Sequence, residues 1–274
     1  MKIFSVVFVV FMAALMVSSS EESEEVAAKK EQPIVYCAPS FDPSVLNSDA
    51  PLLERASKVR YRVTTKSELA QKYFNQGLAL TYGFNHGEAA RSFKTAIRID
   101  STFAMAYWGL AMVFGPNYNA ALNPTSLAEI NDAVDLAVKY ASHASDHEKA
   151  LITAISKRFP RKEAKDLTAY YEAYAAAMKE AHEKFPEDAE IAVLYADALM
   201  NLHPWDLWLK DGTAQPWTAE IIQLLENILS KWPDHHGAIH YYIHATEASK
   251  NAAKALAYAN LKATVIGVNR KCSS

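Results

Sequence analysis

Apolar residues recur every three or four positions along most of this chain, the period of amphipathic helices. The stretch from Ala70 to Phe114, AQKYFNQGLALTYGFNHGEAARSFKTAIRIDSTFAMAYWGLAMVF, shows it most clearly. It reads as a helix over Ser67 to Tyr82 with Thr65 or Ser67 as its cap, and then an exit turn at Gly83 to Gly87. A second helix runs to Ile99 and a third begins at Ala104. Gly115 to Asn119 (GPNYN) is a turn, and Thr125 to Ala141 returns to helical period. Ser145 to Glu148 is a capping box that opens a helix to Phe159, where Pro160 stops it. Asp166 to Lys184 and Ala189 to Met200 follow. Past an irregular stretch from His203 to Pro216, Thr218 caps a helix over Ala219 to Lys231. His236 to Ser249 and Ala252 to Thr264 end the series. No strand pattern occurs, so the pattern predicts an all-α fold.

The helical period fails at both ends. Ile3 to Val17 is an apolar run behind Met1-Lys2, and Ser18 to Ser20 supply the small residues of a cleavage site. Residues 1–20 therefore read as a signal peptide, too short for a comfortable membrane span, and a secreted or extracytoplasmic protein with no stable membrane insertion after cleavage is expected. Residues 21–64, acidic and then proline-bearing, read as a disordered or extended tail. Residues 65–266 form the helical domain, and 267–274 a C-terminal tail. Cys37 and Cys272 fall in the two tails. An oxidising compartment would allow a bridge between them, and unpaired or intermolecular thiols stand as the alternative.

Charge narrows the partners. A net charge of −3 and a pI near 6.3, with lysines and arginines scattered, exclude a nucleic-acid footprint. Catalytic signatures are missing too. No glycine-rich phosphate cradle follows a strand, no GxSxG elbow occurs, and neither cysteine sits in a nucleophile motif.

The residues at Tyr73, Gly77, Leu80, Ala89, Phe93 and Ala96 follow the pattern of the tetratricopeptide repeat, about 34 residues long. Tyr107 and Leu110 come in phase one repeat later, and Pro186 and Pro233 mark the same phase downstream. The chain thus resembles the tetratricopeptide repeat family. More narrowly it resembles a subgroup without an assigned activity, on the words YGFNHGEAARSF, AMAYWGLAMVFGPNYN, HEKALITAISKRF, PWDLW and HHGAIHYYIHATEAS. The resemblance implies a right-handed α-solenoid of helical hairpins with inserted helices. It also implies a concave groove lined by first helices, which places Phe74, Leu78, Tyr82, Trp108, Met112, Val193, Asp197, Met200 and Asn201 there, with His240, His244 and Glu247 on the last unit. A protein or peptide partner in that groove is the leading expectation. Clamping of an acidic C-terminal carboxylate is disfavoured, because groove positions that would need basic or amide groups carry Phe74, Trp108, Met112 and Val193.

His240, His244 and Glu247 stand at i, i+4 and i+7, on one face of a helix. Imidazoles one turn apart can share a metal ion, zinc or copper, with the carboxylate completing or orienting the set. His203, and also Asp197, are further candidate ligands. The plainer alternative, which the spacing alone favours, has the two histidines hydrogen-bonding neighbours or a bound peptide. The motif is not HExxH, so no general base stands between them. Trp205, Trp208 and Trp217 read as a plug over a helix end, His143 and His147 as solvated, and Asn117 and Asn119 as turn residues.

Overall fold

A computed structural model describes residues 46–53, 59–256 and 258, all within the unit Tyr36–Ser274. The expected signal peptide, both cysteines, the C-terminal tail and most of the helix expected beyond Ala252 lie outside the described residues. Nine α-helices have both ends among them: α1 (Glu68–Tyr82), α2 (His86–Ile99), α3 (Ala104–Phe114), α4 (Leu127–Tyr140), α5 (Asp146–Ile155), α6 (Thr168–Lys184), α7 (Ala189–Leu202), α8 (Thr218–Lys231) and α9 (His236–Thr246). No strand occurs among the described residues beyond two isolated bridges, Asn117 with Ala120 and Trp208 with Ala214. None of these helices is long and apolar enough to cross a membrane.

Local chemistry sets the helix ends. Ser67 caps α1 by accepting from the Ala70 amide at 3.2 Å, while Thr65 instead donates to Asp100. Ser145 and Glu148 make the expected capping box at α5. That helix ends at Ile155, four residues before Phe159, because the chain tightens into turns that carry Arg158 inward. Thr218 does not cap α8. It is the first helical residue, and its hydroxyl donates to the Leu207 carbonyl instead.

Adjacent helices pack in sequence order from α1 to α9, and α1 also meets α3, as α7 meets α9. The unit α1–α2–α3 turns on Phe93. A Cβ added at Gly77 would lie 2.7 Å from its ring, and one at Gly109 only 2.4 Å, so both neighbouring helices must be bare where the ring inserts. Every residue of α3 is buried, as expected of a helix apolar all round. Residues 46–53 and 59–66 lie along α1 and α2 without forming a helix beyond residue 46. Their backbone amides are met by side chains: Ala50 N–H by Thr95 Oγ1 at 3.0 Å, Leu53 N–H by Gln76 Oε1 at 2.7 Å, and Val63 N–H by Gln71 Oε1 at 3.0 Å. Buried glutamines at these helical positions thus complete a ladder that the extended chain lacks.

One contact outside the sequential order matters most for function. Helix α9 packs directly on α1. A Cβ at Gly237 would lie 2.8 Å from Tyr82 Cδ1 and 2.8 Å from Val193 Cγ1, so the glycine permits α1, α7 and α9 to meet.

Phe93→Ala is expected to cost about 3–5 kcal/mol and Gly109→Ala about 1–3 kcal/mol in urea denaturation. The double variant should be less destabilised than the sum, since the methyl enters the space that the ring leaves. Additive costs would show that the ring and the glycine are not in contact.

Candidate histidine site

Helix α9 presents His240 and His244 toward the end of α1. The last carbonyls of α1 are each accounted for. Gly83 N–H donates to Ala79 O, Asn85 N–H to Leu80 O at 2.9 Å and Phe84 N–H to Thr81 O at 3.0 Å. The remaining carbonyl, that of Tyr82, receives His240 Nδ1–H. A carbonyl only accepts, so His240 carries its proton on Nδ1. On the other side, His244 Nδ1 lies 2.9 Å from Glu247 Oε1, and an ionised carboxylate likewise only accepts. Each neutral imidazole has one N–H, and both are spent. The two Nε2 lone pairs then face one another at 3.1 Å. A shared cation between them, proton or metal, turns that repulsion into attraction.

Aromatic rings close around the pair. Phe84 lies 4.6 Å from His240 and stacks on His244 at 5.4 Å, ring centroid to centroid. Tyr118 lies 5.7 Å from His244, and Trp205 stacks on Tyr118 at 5.3 Å. Phe84 and Trp205 are the two non-glycine residues with left-handed backbone among the described residues, at φ 55° and 60°. Such conformations cost about 1–3 kcal/mol each and persist only where surrounding contacts over-determine them. Both rings reach the same histidine.

The expected ligands divide. His240 and His244 converge, whereas Glu247 faces the far nitrogen of His244 and orients that ring rather than joining a coordination sphere. His203 is elsewhere, stacked on Trp217 at 3.8 Å with rings 7° apart, its pKa lowered by burial against the pull of Asp206. Asp197 is buried beside Tyr241 and Asn201. Burial pushes its carboxyl up to about 6, with Arg158 and hydrogen bonds to Asn201 and Tyr241 opposing. Among the described residues no three His, Cys, Asp or Glu side chains form a cluster that could hold a metal.

The expected groove lining is core. Phe74, Tyr82, Trp108, Met112, Asp197 and Asn201 are all buried, as are Leu78, Val193 and Met200. Phe74 packs between Phe93 and Phe103, at 5.7 and 5.5 Å. Met112 Sδ receives Arg158 Nη1 at 3.0 Å, from a guanidinium only 1 % exposed that also lies over the Tyr174 ring at 4.6 Å. Packing of α9 on α1 and the inward reach of Arg158 cover the face that was expected to be open.

Sequence reasoning missed Phe84, Tyr118 and Trp205. One signal was available: an aromatic directly behind Gly83, where a helix exit ordinarily places a left-handed glycine. His147 keeps 45 % of its side chain exposed, as expected of a solvated histidine, but its Nδ1 also lies 2.6 Å from Asp188 Oδ2. Of the tryptophans, Trp208 donates to Ala245 O at 2.7 Å and Trp217 to Asp206 O at 2.8 Å, tying the connector before α8 to itself and to α9.

Compared with models of known families and with curated proteins, the chain matches none. Four of the five sequence words singled out above meet in space. YGFNHG supplies Phe84, GPNYN supplies Tyr118, PWDLW supplies Trp205 and HHGAIHYYIHATEAS supplies both histidines.

Beneath the site, burial lowers the His86 pKa from 6.5 to about 4, with Arg158 adding to the shift and the Val113 backbone opposing it. The folded protein keeps this imidazole neutral, so its contribution is full above the unfolded value and is lost as pH falls through 6.5 toward about 4. The unfolding free energy from urea denaturation should decline over that window by an amount on the order of 3 kcal/mol, and His86→Gln should flatten the decline. A wild-type profile unchanged by the substitution would contradict the assignment.

Proposed function

We propose that this chain is an exported helical-repeat protein of tetratricopeptide type whose His240–His244 pair binds a divalent transition metal, zinc or copper. The observation that carries the reading is the approach of two Nε2 atoms to 3.1 Å while both Nδ1 atoms donate elsewhere. Zinc–imidazole bonds of about 2.0–2.1 Å would span that gap with an angle near 100°. Glu247 and the Tyr82 carbonyl then act as the outer partners that fix tautomer and ring orientation. With two protein ligands the ion keeps open positions for water or a small ligand beside Phe84, Tyr118 and Trp205, which makes the site an exchangeable one rather than a structural clamp. The solenoid reading is supported by the sequential hairpin packing and by the Phe93 insertion between glycines, and the exported reading by the apolar run from Ile3 to Val17.

Isothermal titration of the purified chain near neutral pH is expected to show about one equivalent of zinc or cupric ion, with a raised melting temperature. The His240→Ala/His244→Ala variant should lose that binding, and Glu247→Gln should weaken it about ten- to a hundredfold. Absence of both binding and thermal shift with either metal would leave a shared proton as the cation between the rings and would end the metal reading.

A further inference from the structure

A second site lies where α7 and α9 begin. The turns Phe185–Asp188 and Trp232–His235, with residues 59–61, enclose a cleft of about 690 Å³. Two buried carboxylates stand in its wall. Asp188 Oδ2 accepts from Tyr61 Oη at 3.2 Å and meets His147 Nδ1 at 2.6 Å, while its Oδ1 caps α7 through the Ile191 amide at 3.0 Å. Glu190 accepts from the Tyr82 hydroxyl, and its other oxygen is 3.5 Å from His235 Nε2. Neither carboxylate pairs with a lysine or arginine among the described residues. Tyrosine hydroxyls and histidine rings hold both carboxylates in place.

His235 supplies the independent observation. Its side chain is only 9 % exposed, and it lines the cleft. Nδ1 accepts from the Ala238 amide at 3.3 Å, so a neutral ring carries its proton on Nε2. That Nε2 is buried, and its nearest acceptor, Glu190 Oε1 at 3.5 Å, lies beyond good hydrogen-bond reach. A buried donor so loosely met is costly, and a ligand oxygen entering the cleft would satisfy it. The field is also legible in the neighbouring groups. Burial, and then Asp188 and Glu190, push the Tyr61 phenol far up, and Glu190 raises the His235 pKa against burial. At the rim the chain already holds a cation in such surroundings: Lys231 Nζ lies 5.6 Å from the Trp232 ring centroid and 2.9 Å from Glu187.

We propose that this cleft binds a peptide segment through a basic side chain, with the guanidinium or ammonium set between the aromatic walls Phe185 and Trp232 against Asp188 and Glu190, and a peptide carbonyl accepting from His235 Nε2–H. The two polar demands are opposite in sign. The carboxylates call for a cation, and the imidazole calls for an acceptor. A basic residue within a peptide meets both, whereas a polyamine meets only the first. Because the cleft is open to solvent and formed by turns, an extended segment has access without separation of the helices.

The test is isothermal titration of the full chain with N-acetyl-Ala-Arg-Ala-amide, its all-alanine and Ala-Glu-Ala counterparts, and spermidine. The arginine peptide is expected to bind at least about tenfold more tightly than the other three. Glu190→Gln should weaken it by about tenfold or more, and Trp232→Leu by several-fold. Should Glu190→Gln melt early through loss of the Tyr82 bond, Trp232→Leu at an unchanged melting temperature decides. Equal binding of the alanine peptide, preference for the acidic one, or undiminished binding in a folded Trp232→Leu protein would overturn the proposal. Spermidine binding as tightly as the arginine peptide would overturn the peptide assignment, since it offers no acceptor to His235.

Discussion

Tyr82 is the residue on which the rest depends. It ends α1, is fully buried, and reaches two other helices at once. Its hydroxyl bonds Glu190 in the first turn of α7, its carbonyl takes the proton of His240 on α9, and its ring meets Tyr241 edge-on at 6.0 Å. A helix end leaves carbonyls that must find donors elsewhere, and a buried one left unmet is costly. Three of the four at this end are satisfied by the turn that follows. The fourth needs α9, and Gly237 is what lets α9 come close enough to serve it. Closure of α9 on α1 is therefore a consequence of hydrogen-bond accounting as much as of apolar burial.

The left-handed turn at Phe84 belongs to the same constraint. Its φ of 55° swings the chain away so that Thr81 O and Leu80 O are met from within the turn while Tyr82 O points outward. Glycine would adopt that conformation at less cost, but glycine has no ring to lay against His240 and His244. Trp205 makes the same exchange on the opposite side, held by Tyr118. Strain at two aromatic positions, both directed at one imidazole, separates this histidine pair from an ordinary buried one.

Much of this was legible along the chain. Helical period and caps located the helices to within a few residues, and the i, i+4 spacing put His240 and His244 on one face. What lay beyond reach depended on distant partners. The proton direction at His240 is set by a carbonyl 158 positions away, and the setting of Asp188 by Tyr61, 127 positions away. The groove expectation failed for a reason that the sequence did contain. Helix α3, AMAYWGLAMVF, has no polar face, so covering on every side was its natural state. The repeat register assigned one face to the ligand, but composition assigned that face to the core.

Tyr82 also stands between the two sites, with its carbonyl in the histidine pair and its hydroxyl at the cleft. Shared membership alone does not couple them energetically. Coupling needs an element with two arrangements that each ligand biases differently. Tyr82 has little room for a second one. Its ring is wedged against Tyr241 and His235, and the bare Gly237 backbone leaves no slack on the α9 side. Held in this way, the side chain fixes the spacing of the two sites. A rigid junction can preorganise both while carrying no signal between them, and the packing around Tyr82 is that of a strut.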